Sequence, residues 1–132
     1  MSRQLIASAC AAAAILSAQA APVHAADPVA HGKILFLRCA SCHDVSAAHS
    51  AKIGPNLHGV IGRKVASLDG YPYSAALKSQ TFVWDASTLD RWLTNPNALV
   101  PGTIMAFAGL PDPADRGAII AYLQRQGPNA AP

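Results

Sequence analysis

The chain contains no glutamate; its seven acidic residues are all aspartate. Few groups are therefore left for acid–base catalysis, which needs side chains of tuned pKa close to a substrate. Basic residues are scattered and form no run, so nucleic-acid binding has no support. The longest apolar stretch, Leu5 to Ala18, is mostly alanine and too short for a stable transmembrane anchor. Cysteine is scarce: Cys10, Cys39 and Cys42. No internal repeat, low-complexity run or second domain is visible after the first two dozen residues.

The N-terminus has the form of an export signal. Arg3 gives a short positive start, the apolar run follows, and two small-residue cleavage candidates come next, Ala18-Gln19-Ala20 and Val23-His24-Ala25. The second is preferred because Asp27-Pro28 looks like the opening of a folded domain. Residues 1–25 are thus read as a cleaved signal peptide and 26–132 as one small domain, with Cys39 and Cys42 its only cysteines. A lipoprotein reading of Cys10 fits poorly, because Ala7 stands where a large aliphatic residue is usually wanted. The sequence pI of about 9.0 overstates the mature charge, since Arg3 leaves with the signal.

What is present is concentrated in Cys39-Ala40-Ser41-Cys42-His43. C-x-x-C-H is the attachment signature of a c-type haem. Two thiols add across the two haem vinyl groups, and a two-residue spacer in a helical turn sets the sulfurs that far apart. His43 then lies where an imidazole nitrogen can ligate the iron. A redox dithiol or half of a zinc site are the competing readings. The first needs a βαβ context that the pattern lacks, and the second needs two more ligands nearby. The two haem propionates would bring the mature protein close to neutral.

The hydrophobic pattern is all-α with long loops. Val29, Gly32, Phe36 and Leu37 recur at helical spacing over Val29 to Cys39. A short helix is expected over Ser74 to Lys78. Another is expected over Ala86 to Thr94, with Asp85 as N-cap and Asn95-Pro96 as the stop. The last opens at Asp112-Pro113 and runs to about Gln126, burying Ile119, Tyr122 and Leu123 before Gly127-Pro128 ends it. The segments Asp44 to Tyr73 and Asn95 to Leu110 are long for loops of so small a domain. They make sense if they wrap a cofactor.

A second iron ligand is sought opposite His43. Met105, in the loop Pro101-Gly102-Thr103-Ile104-Met105-Ala106-Phe107, is the one methionine left after signal removal. His/Met ligation raises the potential and suits electron transfer. The rivals are His31, His49 and His58, each better read as a surface or loop histidine.

At this point the chain resembles a class I cytochrome c of the mitochondrial and α-proteobacterial type, over nearly all of residues 29–126. The resemblance rests on Cys39 to His43, Gly54-Pro55-Asn56-Leu57-His58-Gly59, Gly62-Arg63, Tyr71-Pro72-Tyr73-Ser74, Trp84, Leu93-Thr94-Asn95-Pro96, Pro101 to Met105, Phe107-Ala108-Gly109 and Ile120-Ala121-Tyr122-Leu123. It implies a small cytochrome c fold of three to five helices, with long loops wrapped around one covalently bound haem c. Cys39 and Cys42 would form the thioethers, and His43 and Met105 would ligate the iron. Pro55 would offer its carbonyl to the outer nitrogen of His43. Tyr73, Trp84 and Thr103 would hydrogen-bond the propionates, with Arg63 offsetting their charge. Phe107 would cover the haem, and Gly32 and Phe36 would pack on Ile119 and Tyr122.

Departures from the family pattern are equally informative. Trp92 stands where a tyrosine usually bonds the ligand sulfur, and Leu77 where an asparagine helps hold a buried water. A drier Met105 side is expected, with Trp92 able to donate its indole N–H to the sulfur. Lysines that usually ring the haem edge are replaced by Asn97, Ala98, Ile104, Pro111, Asp112 and Pro113, while Lys33, Arg38 and Lys52 remain on the other flank. Docking of weak salt dependence is expected. The resemblance implies a soluble, monomeric, periplasmic one-electron carrier without a transmembrane anchor. Its redox partners would be of the kind of a quinol-oxidising complex, a terminal oxidase or a periplasmic dehydrogenase. The alternative is a haem subunit of a dehydrogenase or reductase complex, or a catalytic cytochrome with a labile sixth ligand.

Overall fold

A computed structural model describes residues 27–48 and 52–128. The signal reading, Cys10 and His49 lie outside the described residues. Five helices follow in order: α1 (Pro28–Phe36), α2 (Ala75–Lys78), α3 (Ala86–Thr94), α4 (Pro96–Leu99) and α5 (Pro113–Gln124). Among the described residues the only β pairing is an isolated bridge between Lys64 and Val83. The redox-dithiol reading therefore lacks its sheet. No described helix is long and apolar enough to cross a membrane.

Each start is written locally. Asp27, Asp85 and Asp112 accept hydrogen bonds from the N–H of Val29, Thr88 and Ala114 at 2.9, 2.7 and 2.8 Å. Pro28 and Pro113 occupy first-turn positions where no N–H is needed. Ser74 caps α2 in the same way, through the Leu77 N–H. Asn95 ends α3 as expected, but it also caps α4 by accepting from Ala98 N–H at 3.1 Å, with Pro96 in the first turn. Asn-Pro is thus a stop and a start together, and α4 was not anticipated.

The first helix is shorter than its periodicity implies. Beyond Phe36 the winding tightens: Leu37, Arg38 and Cys39 donate to Ile34, Leu35 and Phe36, three residues back. This closes the helix end and breaks the 3.6-residue phase. Leu37 consequently faces outward, 71% exposed, and does not join the buried stripe. The last helix ends at Gln124 for the same reason, with Arg125 and Gln126 bonding three residues back.

The core gathers Phe36, Val60, Leu89, Leu93, Leu110, Ile119, Ile120 and Leu123. Here α1 lies against α5. A Cβ on Gly32 would collide with the Ala118 carbonyl and come within 2.9 Å of Tyr122 Cβ, so only glycine permits the approach. The rings of Phe36 and Tyr122 sit 5.3 Å apart, tilted at 48°. On α5, Ala118, Ile119, Ile120 and Leu123 are buried and Tyr122 is half-buried. Arg116 ties α5 to α3 through Asp90 at 2.7 Å and to the preceding loop through the Leu110 and Pro111 carbonyls.

Candidate functional site

The C-x-x-C-H segment continues the tightened winding that leaves α1. Cys42 and His43 donate their N–H groups to the Cys39 carbonyl at 3.0 and 2.8 Å. The turn presents Cys39, Cys42 and His43 to a cavity of about 360 Å³. A second hollow, between Gly59, Ile61 and the end of α5, has neither thiol nor imidazole in its lining.

His43 is buried, and its Nδ1 lies 2.8 Å from the Pro55 carbonyl oxygen. That oxygen can only accept, so Nδ1 carries the proton and Nε2 keeps its lone pair. Burial lowers the His43 pKa against the rise the Pro55 bond gives, and the Lys52 charge lowers it further. The ring is therefore held neutral in one tautomer, the state a metal ligand requires. A Cβ on Gly54 would stand 2.6 Å from His43 Cε1, so a glycine is needed beside the ring.

Burial pushes the Cys39 thiol up, with Arg38 opposing and Cys42 adding to the rise. A reactive dithiol wants the opposite shift. Among the described residues no group of three or more His, Cys, Asp or Glu is placed to hold a metal ion, so the zinc reading has no ligand set.

The structure brings the expected residues together. Pro55, Arg63, Tyr73 and Trp84 line the same cavity as the motif. So do Trp92, Thr103, Met105 and Phe107, and Leu77 beside them. Trp92 is buried edge-on to Trp84, with ring centres 5.3 Å apart. The Met105 loop turns at Gly102 (φ 86°), is pinned by the fully buried Val100, and bonds Met105 N–H to Thr103 Oγ1 at 3.4 Å. The rival histidines are engaged elsewhere. His31 Nε2 is 2.9 Å from Asp115, and His58 Nδ1 is 3.1 Å from the Val45 carbonyl. Neither lines the cavity.

Arg63 is half-buried and donates to the carbonyls of Asn56 and His58 at 2.8 and 3.3 Å. No ion pair to Arg63 exists among the described residues. Burial lowers its pKa. Tyr73 beside it is raised by burial, with the Arg63 charge opposing. A guanidinium in an apolar cavity without a carboxylate suits an anionic group there. The lining thus fits a covalent haem on three counts: two thiols and one neutral imidazole on a single turn, apolar walls, and a cation for the propionates.

Sequence reasoning missed two features. Lys52, expected among the basic residues on the other flank of the haem edge, is exposed but folds back on the attachment turn and donates to the Ala40 and His43 carbonyls at 2.6 and 3.0 Å. Ile53, 81% exposed, stands at the cavity rim as Ile104 does at 74%. Neither carries a local pattern that could have revealed it.

These features define an all-α haem protein. The cytochrome c family model matches residues 29–126. Cytochrome c2 of Rhodomicrobium vannielii is 44% identical over 102 residues, which cover 77% of this chain and 81% of that protein. Cytochrome c of Cochliobolus lunatus is 46% identical over 89 residues, 67% of this chain and 82% of that one. The solved structure of cytochrome cH from Methylobacterium extorquens superposes with a TM-score of 0.68 at 41% identity, covering 73% of this chain and 96% of that chain. The chain belongs to the cytochrome c family, in its class I branch. It binds one covalent haem c and is an electron carrier, not an enzyme.

Proposed function

We propose that the chain is a soluble, monomeric periplasmic carrier whose iron is ligated by His43 and Met105. It would be exported by residues 1–25 and would shuttle single electrons between redox complexes. Bound haem supplies a one-electron ferric/ferrous couple. Cys39 and Cys42 hold the group by thioethers. Pro55 fixes the tautomer and direction of His43 through the 2.8 Å bond. Arg63, Tyr73, Trp84 and Thr103 take the propionates, and Phe107 and Trp92 close the Met105 side. Ligation by both His43 and Met105 would leave the iron no open position for a substrate, which favours electron transfer over ligand activation.

The observation that carries this reading is the buried, singly protonated imidazole sharing one cavity with Met105. The partners it fits are a quinol-oxidising complex, a terminal oxidase or a periplasmic dehydrogenase. They would be met across an apolar rim marked by Ile53 and Ile104.

The test is optical. The oxidised holoprotein should show the far-red charge-transfer band of a methionine–iron bond, and the reduced form should not bind CO. Met105→Ala should lose the band and gain CO binding. A wild-type protein without the band and with CO binding would point to an open iron position.

A further inference from the structure

The segment Lys52 to Pro55 makes four consecutive bonds to the attachment turn. Lys52 Nζ donates to the Ala40 and His43 carbonyls, at 2.6 and 3.0 Å. Gly54 N–H donates to the Cys42 carbonyl at 2.8 Å. The Pro55 carbonyl then accepts from His43 Nδ1 at 2.8 Å. Carbonyls at the end of a helical turn have no partner within it and concentrate negative potential. Lys52 and Gly54 satisfy three of them. Two charge-assisted bonds also offset more of the rotamer entropy of one lysine than a single surface contact does.

We propose that Lys52 is a positioning residue for the attachment turn and its imidazole, not a docking cation, and that its fixed charge on the His43 side favours the ferrous iron. The inference rests on His43 as the axial ligand. The physical link is simple. Oxidation adds one positive charge to the iron, and a cation held by two bonds against the backbone of the ligating residue opposes that charge from a fixed position. A lysine free to swing away would spend most of its time farther from the ligand and oppose that charge less. Lys33, Lys64 and Lys78 are exposed as Lys52 is, but among the described residues their side chains make no such bonds, so they serve as internal references.

The experiment uses the wild-type holoprotein with Lys52→Met and Lys52→Arg. Lys52→Met should shift the midpoint potential negative, lowering the reduced-to-oxidised ratio at fixed poise by about threefold or more. Lys52→Arg, which keeps the charge and donors, should stay close to wild type. The ionic-strength dependence of electron transfer to a partner should be the same in all three. A Lys52→Met potential equal to wild type overturns the proposal, as does a change confined to the salt dependence. If Lys52→Met fails to mature, amine labelling of the wild-type protein decides. Lys52 should be modified several times more slowly than Lys33, Lys64 and Lys78, and equal rates refute the clasp. His43/Met105 ligation is read separately from the wild-type spectrum, so failure of that assignment is told apart from failure of this one.

Discussion

Gly54→Ala adds one methyl group and no charge, and it tests whether the imidazole is held as rigidly as the structure implies. The new Cβ would lie 2.6 Å from His43 Cε1 and 2.8 Å from both His43 Nδ1 and the Cys42 oxygen. An ordinary carbon–carbon contact is about 3.5 Å or more, so ring and backbone must separate by about 1 Å. Neither can give freely. Gly54 is fastened by its own N–H to the Cys42 carbonyl at 2.8 Å, and the ring by Nδ1 to Pro55 at 2.8 Å. An N–H···O bond weakens steeply beyond about 3.2 Å, so the displacement sacrifices one of the two. Overpacking against backbone costs about 1–3 kcal/mol, and the lost bond adds about 1 kcal/mol. A total near 3 kcal/mol follows, a large share of the stability of so small a domain. Guanidinium unfolding of the reduced holoprotein measures it, and the hyperfine-shifted haem resonances of the oxidised form report the ring orientation. A destabilisation under about 0.5 kcal/mol with unshifted resonances would show that the ring has slack, and the argument for a fixed imidazole would fail.

Two further outcomes follow from packing and surface chemistry. Gly32→Ala should destabilise by about 3 kcal/mol because its Cβ meets the Ala118 carbonyl, although helix propensity alone favours alanine by about 1 kcal/mol. Gly117→Ala, on a helix position with nothing within 4 Å, should instead stabilise by about 0.5–1 kcal/mol, and thermal unfolding of the pair should therefore show opposite signs. At the cavity rim Ile53 and Ile104 are apolar and the Lys52 ammonium is engaged by the Ala40 and His43 carbonyls, so electron-transfer rates with a partner should change by no more than about twofold as salt is raised. A fall of roughly tenfold or more in stopped-flow rates would contradict that picture.

Features fixed by local chemistry were legible from the residues. The haem motif is legible because covalent attachment dictates its spacing. The caps Asp85 and Asp112 are legible because each bonds a backbone N–H two or three residues away. Errors arose where one segment does two jobs or changes its winding. Asn95-Pro96 both stops and starts a helix, and Leu37 leaves the buried face because the turn after Phe36 tightens. The bonding partners of Lys52 and Arg63 were beyond any local pattern. They are backbone carbonyls 5 to 12 residues away, brought near by loops. His31 was readable as a surface histidine, but its partner Asp115, 84 residues on, is brought to it only by the fold.

The long loops, which looked excessive for a domain of this size, follow from how the core is built. Phe36, Val60, Leu89, Leu93, Ile119 and Leu123 belong both to the hydrophobic core and to the cavity wall. The core is therefore a shell with the haem face as its inner partner, and a small chain can reach adequate burial that way. Loop segments then need no sheet or helix to close them. Buried Asn56 bonds Ser46 and His58, Arg63 bonds Asn56 and His58, and Tyr71 bonds Ile53, each satisfying backbone groups that regular structure would otherwise pair. The same bonds place Pro55 against His43 and set Arg63 in the cavity wall. Loop stability and the tuning of the iron site are thus one set of interactions, and a change in either should be read in both.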